Sequence, residues 1–472
     1  AIIAQLQGLF LVRLLSKPDY GTWAFLLVLF GTARDLGSFA VPDSMMYFAP
    51  KVSPAQFRGL VRQSLTLLFG VGCVAAAILS TFALIPKIFL GGHEDAAGLL
   101  VLLGLSAVLA LPGGLFNNVF IATNNHRKSA GIATLLQLTS TVGLLVPAWL
   151  GMSLTWLVAI FAANMGLRFA LSYWLYEKLL GGVAPEPFPG GLRAQLKFVI
   201  PLGTTRLASL FNQKFDKFVV GLFFSATAFA EFAVGSQELP LVSILPYSIA
   251  ALILPQLVER YEKGKTPVLG ARSAIDLWHA SIRKATIVML PLAAFLLVVA
   301  EPLMVLLYGE PYAGAALPFR IYTALLPLRV TGYGIMLMAF GQTPRILRIQ
   351  IYGLVFNVAA SFVFLPIFGM IGAPLSAVLT QVFMIVSIVR RIDHVAELGI
   401  RGIFPWQHYS RTAAASILAV LPVGAALFAM TWSKTAPHPG LILGLGIPIT
   451  ASIYLSAGRR FGVLTREDRD YV

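Results

Sequence analysis

A stripe of polar and charged side chains runs along one apolar stretch of the chain. Arg206, Gln213 and Lys217 lie at positions i, i+7 and i+11 of Leu196–Leu222, so on a helix Gln213 and Lys217 each fall within about 20° of Arg206. A charged side chain at membrane depth is costly and normally faces other helices or a wet cavity. Two interpretations follow. Either Arg206 pairs with an acid on a neighbouring helix, or the stripe is the cationic wall of a cavity for an anionic cargo.

Further ionisable residues fall in or beside other apolar stretches. Arg side chains stay charged and bind phosphate through two parallel hydrogen bonds, so three of them around a cavity would suit a diphosphate better than a neutral drug or sugar. For the acids, a structural ion pair and an ion or proton site both stay open. The candidate cations are Arg34, Arg206, Lys214, Lys217 and Arg329, and the candidate acids are Asp35, Asp216 and Glu238.

Two of these acids have distinct local settings. Asp35 follows Arg34 directly, and on a helix the two side chains point about 100° apart, so they are not expected to satisfy each other. Glu238 precedes Pro240, where a helix would kink. A hydrogen bond that stabilises this kink is therefore a further role for Glu238.

The composition is that of a membrane protein. The 472 residues are 58% hydrophobic and only 12% charged, about half the charged fraction of an ordinary soluble protein. The formal charge of +15 would suggest nucleic acid in a soluble domain, but cytoplasmic loops of membrane proteins accumulate Lys and Arg. No nucleic-acid partner is expected. The chain opens inside an apolar run, which predicts a truncated first helix rather than a signal peptide.

The hydrophobic pattern predicts an all-α polytopic membrane protein with about fourteen transmembrane helices. Residues 1–180 form an N-terminal lobe of six spans, 181–195 a cytoplasmic Pro/Gly linker, and 196–395 a C-terminal lobe of six. Residues 396–472 hold two more spans and a cytoplasmic tail. The predicted spans are Ala1–Leu15, Gly21–Val41, Gly59–Ile85, Gly98–Ile121, Ser129–Leu150, Ser153–Tyr176, Leu196–Leu222, Thr227–Leu252, Ile282–Ala300, Ala315–Phe340, Ile346–Ile367, Met370–Val389, Thr412–Trp432 and Gly440–Ala457.

The distribution of charge predicts the orientation. Of the 35 Lys and Arg residues, 24 fall in alternate connections that would all lie on one side of the membrane. The opposite side holds four: Lys17, Lys87, Arg320 and Lys434. Because basic residues concentrate on the cytoplasmic side, both termini and the linker are predicted to be cytoplasmic.

The two six-span blocks resemble copies of each other. The segment from Leu115 to Met152 runs parallel to the segment from Ile335 to Met370, and each has a short basic loop, a span and a Gly-Met turn. Since six spans return the chain to the same side, the repeat is parallel. This predicts two lobes with cargo bound between them.

Catalytic and cofactor motifs are missing from the sequence. The six histidines fall in loops or at span ends, without metal-ligand spacing or a Ser/His/Asp grouping, and the lone Cys73 excludes an intramolecular disulfide. Gly264-Lys265-Thr266 resembles the end of a phosphate-binding loop, but no strand precedes it. We therefore predict a transporter rather than an enzyme, with no cofactor and no metal.

Three segments resemble the polysaccharide-biosynthesis transporters, the O-antigen and lipid-linked oligosaccharide flippases of the multidrug/oligosaccharidyl-lipid/polysaccharide exporter superfamily. RLLSKPDYGTWAF, from Arg13, is similar to the opening-loop pattern of the family and departs from it at Ser16. In FDKFVVGLFFSATAFAEFAV, from Phe215, Ala230 and Phe232 replace the usual Gly and Tyr. The best match is MAFGQTPRILRIQIYGLVFNVAASFVFLPIFGMIGAPLSAVLTQ, from Met338.

The resemblance implies a two-lobed bundle in a bacterial inner membrane that alternates between cytoplasm-open and periplasm-open states. Its cargo would be an undecaprenyl-diphosphate-linked oligosaccharide, with Arg34, Arg206 and Arg329 lining the cavity. A coupling ion (proton or sodium) and a polysaccharide polymerase stay open as partners. The alternatives are a flippase for the peptidoglycan precursor lipid II, a drug/cation antiporter and a non-transporting subunit of a polysaccharide synthase. The first span offers Gln5 and Gln7 but no acid, unlike drug antiporters.

The topology is testable by thiol labelling. In a Cys73→Ser background, single cysteines at Lys51, Arg127 and Lys265 should be shielded from membrane-impermeant thiol reagents applied to intact cells, because these loops are predicted to be cytoplasmic. Cysteines at Glu310 and Lys434 should react. The reverse labelling pattern would contradict the predicted orientation.

Overall fold

The structure, a computed structural model, describes residues 2–86, 90, 93–237, 240–433 and 438–463. Every regular element in these ranges is a helix. Contacts divide the chain into two compact units, Ala1–Ala233 and Val234–Val472. The helices that begin in the first unit are α1 (Ile2–Leu14), α2 (Lys17–Ser38), α3 (Val41–Phe48), α4 (Pro54–Leu84), α5 (Ala97–Gly113), α6 (Leu115–Ala122), α7 (His126–Trp149), α8 (Leu154–Leu180), α9 (Gly191–Phe223) and α10 (Ala226–Gly235).

The second unit continues the all-helical pattern. Its helices are α11 (Pro240–Glu262), α12 (Pro267–Val298), α13 (Ala300–Tyr308), α14 (Ala316–Thr323), α15 (Tyr333–Ala339), α16 (Thr343–Phe368), α17 (Gly372–Ala396), α18 (Trp406–Trp432) and α19 (Pro439–Arg460).

In the described part of the chain, nine helical segments are long and apolar enough to cross a membrane, or ten if one bent pair is counted as a span. One of the nine, Thr343–Ala396, contains two of the predicted spans. The helix α9 is not among them, because its polar stripe lowers its hydropathy. The predicted count of about fourteen therefore stays a prediction, while the all-helical, multi-pass class agrees with these segments.

The predicted span Ala315–Phe340 is not one continuous helix, so that prediction is wrong in this detail. Segments Glu310–Thr323 and Leu326–Ala339 meet at a bend of 42°. Pro327 lacks a backbone donor and cannot continue an α-helix without disrupting it. A 3-10 turn, Leu326–Arg329, therefore interrupts the span and carries Arg329.

The internal repeat is visible in the backbone. Asn124 and Gly341, which the sequence comparison aligns, both have positive φ angles, of 58° and 68°. The next residue in each copy donates its N–H to the carbonyl five positions earlier, Asn125 to Phe120 and Gln342 to Leu337, each at 2.8 Å. The two copies therefore fold into the same helix–turn–helix unit. The arrangement of whole lobes stays a prediction.

The helix α9 packs antiparallel along α2 and α3. Two close approaches require glycine on α9: a Cβ at Gly203 would overlap the ring of Phe39, and one at Gly221 would overlap the ring of Phe25. This packing is why contacts assign α9 to the first unit. The predicted domain boundaries at 180 and 195 concern the sequence repeat and stay a prediction.

The Pro/Gly linker is docked on α4. Ser53 and Gln56 form a capping box at the start of this helix, which fixes where its first turn lies. Arg58, one turn later, donates to the carbonyl oxygens of Gly181 (2.9 Å) and Val183 and to the Glu177 carboxylate (2.7 Å). The backbone N–H of Glu186 also bonds Ala55 O at 3.0 Å. The linker is thus held along its length rather than loosely tethered.

Gly59 makes the docking of the linker testable. A Cβ at this position would overlap the carbonyl oxygen of Glu186, so Gly59→Ala should cost about 1–3 kcal/mol of stability through overpacking. The matched control is Gly70→Ala on the same helix, where a Cβ meets open space and should stabilise by up to about 1 kcal/mol. Thermal unfolding in detergent should separate the two, and equal midpoints would contradict the docking.

Candidate functional site

A cavity of about 340 Å³ opens between α2 and α9 in the first unit. Its α9 wall presents Arg206, Ser209 and Gln213 on successive turns, and its α2 wall presents Asp35 and Ser38. The i, i+3 and i+7 spacing on α9 places these side chains on one face. Of the polar stripe predicted from the sequence, Arg206 and Gln213 therefore line a cavity.

Arg206 is held by an acid that the sequence analysis did not single out. Its Nη1 lies 2.6 Å from Oδ2 of Asp43, and its Nη2 donates a hydrogen bond to Oδ1 at 3.2 Å. The Arg206 side chain is nevertheless 58% exposed. One side chain thus combines the features of both interpretations, because it has an acidic partner on a neighbouring helix and still faces a cavity.

Asp35 is shared by two cations. Lys214 Nζ donates to Oδ2 at 2.9 Å, and Arg34 donates to Oδ1 from Nη2 at 3.1 Å and from Nε at 3.3 Å. The prediction that the adjacent Arg34 and Asp35 cannot satisfy each other is wrong. The long Arg side chain folds back along the helix surface, so the angle between neighbouring Cβ atoms does not decide the contact.

These ion pairs follow from the antiparallel packing of α2–α3 against α9. Asp35 and Asp43 are eight positions apart, as are Lys214 and Arg206, and the order is reversed on the two sides. This spacing is the sequence signal that could have identified Asp43. It was missed because Asp43 lies just beyond the predicted span Gly21–Val41, in a segment assigned to a loop.

A third ion pair, Lys17 to Glu231, joins the other end of α2 to α10. Below the cavity, Gln195 is fully buried and donates to Ser44 at 2.9 Å and to Ser64 at 2.7 Å, while Gln63 donates to Gln195 at 2.8 Å. The cavity therefore lies between two polar contacts that fix the helices on either side of it.

A further cation lies near this cluster. Arg168, on α8, is close enough to Arg34 for the two positive charges to repel each other. Its Nε is buried and has no hydrogen-bond partner among the described residues. Arg34, Arg206 and Lys214 contact two carboxylates, Asp35 and Asp43. With Arg168 beside Arg34, the cluster holds four cations and two acids, which leaves two positive charges in excess.

Four of the predicted site residues are not among the described residues that line the cavity: Arg34, Lys214, Asp216 and Lys217. Asp216 is buried, and its Oδ1 accepts the backbone N–H of Lys217 at 2.8 Å. The Lys217 side chain is half-buried.

On α1, Gln7 accepts hydrogen bonds from Gln137 and Thr141 of α7, each at 3.0 Å.

Arg329 lies in the second unit and is half-buried beside a small cavity of about 30 Å³. Gln237, Tyr322 and Thr323 share the lining of this cavity, which has room for one or two water molecules. The remaining predicted site residue, Glu238, lies outside the described residues. Its role as an ion site, an ion-pair partner or a kink-stabilising acid stays a prediction.

The fold is that of membrane transporters. The chain superposes on a lipid II flippase, MurJ, in an inward closed conformation, with a TM-score of 0.75 and 14% sequence identity over 98% of this chain and 97% of that one. An inward-facing multidrug resistance MATE family transporter of the MOP superfamily gives a TM-score of 0.63 and 15% identity over 84% of this chain and 96% of that one. At such identities the similarity establishes the fold alone.

The family is established by sequence. The model of a polysaccharide biosynthesis protein family matches residues 10–317, and the chain belongs to this family. No match was found among curated proteins. The chain is therefore a multi-pass membrane protein with a flippase-type fold, as the three segments that resemble polysaccharide-biosynthesis transporters led us to expect.

The two kinds of polar contact should differ sharply in their effect on stability. Gln195→Leu leaves buried hydroxyl and amide groups unsatisfied, at about 1–3 kcal/mol for each. Arg206→Gln removes a solvent-accessible ion pair worth about 1 kcal/mol or less. We expect a large fall in the thermal midpoint for Gln195→Leu and little change for Arg206→Gln. A fall of equal size in both would mean that Arg206 is a structural residue.

Proposed function

We propose that the chain is a flippase that moves an undecaprenyl-diphosphate-linked oligosaccharide, such as an O-antigen or another polysaccharide repeat unit, from the cytoplasmic to the periplasmic leaflet by alternating access. The observation that carries the proposal is the cluster of cations at the α2–α9 contact, of which Arg206 lines the cavity. Its two excess positive charges match the two negative charges of a diphosphate diester. A neutral drug or a free sugar would leave these charges uncompensated.

Carboxylates hold the cations of this cluster in place until cargo arrives. Arg206 and Lys214 are paired with Asp43 and Asp35 at 2.6 Å and 2.9 Å, and these acids are 26% and 33% exposed. An accessible ion pair of this kind is worth about 1 kcal/mol or less. A diphosphate can therefore displace the carboxylates, because guanidinium–phosphate contacts are charge-assisted and can be bidentate.

The cavity has the size of a head-group site rather than of a whole cargo. Its volume of about 340 Å³ lies at the lower end of the range of about 300–1,000 Å³ usual for small-molecule sites. It would receive the diphosphate, and the sugars would extend away from it. Arg329, which belongs to the second repeat, is proposed as a contact for the cargo. Lys217 is proposed as a further positive charge on α9.

The direction of transport is favoured electrically. Moving negative charge outward across a membrane with a negative interior gains about 2.3 kcal/mol per charge per 100 mV. A cation that travelled with the cargo would cancel this gain. The cations should therefore stay near the midplane while the protein rearranges around them, and Asp35, Asp216 and Glu238 would serve as counter-ions or as the site of a coupling proton or sodium ion.

A lipid II flippase is the main alternative, since the MurJ structure shares the fold and lipid II also carries a polyprenyl diphosphate. The cation cluster does not distinguish the two cargoes. A drug/cation antiporter is less compatible with it, because a cationic drug requires acids to dominate the cavity. In the proposed setting the protein lies in a bacterial inner membrane with both termini cytoplasmic, where a polysaccharide polymerase would use the exported units.

Flipping of a fluorescent undecaprenyl-diphosphate-linked oligosaccharide in reconstituted vesicles tests the proposal. Arg206→Ala and Arg329→Ala should abolish flipping at normal protein abundance, because Ala removes both donors to the phosphate. Arg206→Lys and Arg329→Lys should keep partial activity, since Lys restores a point charge without the two-donor geometry.

The control is Arg320→Ala, which removes an Arg whose Nε donates to the Leu297 carbonyl at 3.2 Å and which is not among the described lining residues of either cavity. It should flip glycolipid at the wild-type rate. Vesicles with lipid II as cargo distinguish the alternative. Wild-type flipping by both Arg206→Ala and Arg329→Ala would show that these residues are packing partners, and the cavity argument would fail.

A further inference from the structure

A second large cavity lies in the second unit, apart from the cation cluster. It has a volume of about 320 Å³ and lies between the end of α17, the start of α18 and the helix break at Leu326–Arg329. Its walls are apolar, with Leu328, Val386 and Ile400 among them, and Arg390 is the only charged group among its described lining residues. The cavity is thus a hydrophobic slot with one positive charge.

The position of this slot matches the boundary between the hydrocarbon core and the head groups of a bilayer. Two of the helical segments that could span a membrane end and begin here, at Ala396 and at Trp406. Phe404, Trp406 and Tyr409 form an aromatic cluster with ring centroids 4.9–6.4 Å apart. Trp and Tyr concentrate at this depth of membrane proteins, and Arg390 belongs to the loop predicted to be cytoplasmic.

Arg390 is available for an external anion. It is exposed and forms no ion pair with any of the described residues, whereas the next residue, Arg391, donates to Gln342 at 2.5 Å. Arg401 and Arg411 at the same end of the helices are also exposed. A single cation at the mouth of an apolar slot complements an amphiphile with an apolar chain and an anionic head group.

We propose that this slot binds one acyl chain of an anionic phospholipid of the cytoplasmic leaflet, with the lipid phosphate on Arg390. The lipid would also brace the helix break, because Pro327 and Leu328 line the slot next to Arg329 and the Tyr409 hydroxyl donates to the Pro327 carbonyl at 2.8 Å. The proposal does not depend on the identity of the transported cargo.

Quenching of Trp406 by brominated lipids tests the proposal in the full chain. The fluorescence of Trp406 is obtained as the difference between wild-type and Trp406→Phe protein. Because Trp406 is 53% exposed, this substitution should leave the fold intact. In phosphatidylcholine vesicles, a small fraction of brominated phosphatidylglycerol should quench Trp406 more strongly than the same fraction of brominated phosphatidylcholine. Arg390→Gln should weaken this preference about fivefold, the effect expected of one basic residue at an anionic surface.

The matched control is Arg411→Gln, which removes an exposed charge near the same helix ends but outside the slot and should keep the preference. Val386→Phe, which fills the slot, should reduce quenching by both lipids. Equal quenching by the two lipids in the wild type, or equal losses in Arg390→Gln and Arg411→Gln, would overturn the proposal. Displacement of the brominated lipid by undecaprenyl diphosphate would also overturn it, because the slot would then hold the cargo tail.

Discussion

The antiparallel contact of α9 with α2 and α3 is the constraint on which the candidate site depends. Gly203 and Gly221 let the helices approach until the α9 backbone touches the rings of Phe39 and Phe25. That approach sets the register, and the register brings Asp35 to Lys214 and Asp43 to Arg206. If the helices were shifted by one residue, their side chains would rotate by about 100° and the pairs would be lost.

The same contact explains how cations can be accommodated inside an apolar protein. An unpaired Arg at membrane depth is expensive, whereas one with a deeply buried, fully bonded partner would not release it. Asp43 and Asp35 lie between these extremes, since both side chains are partly exposed. Arg206 and Lys214 are therefore each paired with an acid that is not deeply buried. The buried Gln195 network and the Lys17–Glu231 pair supply the rigidity that these exposed pairs do not.

Much of this arrangement could be predicted from the sequence, and the limits of the prediction have physical causes. Helical periodicity placed Arg206 and Gln213 on one face, because a single helix determines that relation. The pairing of Arg34 with Asp35 was missed because side-chain flexibility outweighs the direction of Cβ. Asp43 was missed because its role depends on the register between two helices that are far apart in sequence. The break at Pro327 was missed because the mean hydropathy of a whole span does not reveal a kink within it.

Binding of a soluble diphosphate tests the central claim most directly, that carboxylates occupy the cations which the cargo needs. Titration calorimetry of geranyl diphosphate into detergent-solubilised protein should show tighter binding to Asp43→Asn than to wild type, by about fivefold for the loss of a competing pair worth about 1 kcal/mol. Asp276→Asn, which removes an exposed negative charge elsewhere, should bind as wild type does. Unchanged or weaker binding to Asp43→Asn would contradict the claim.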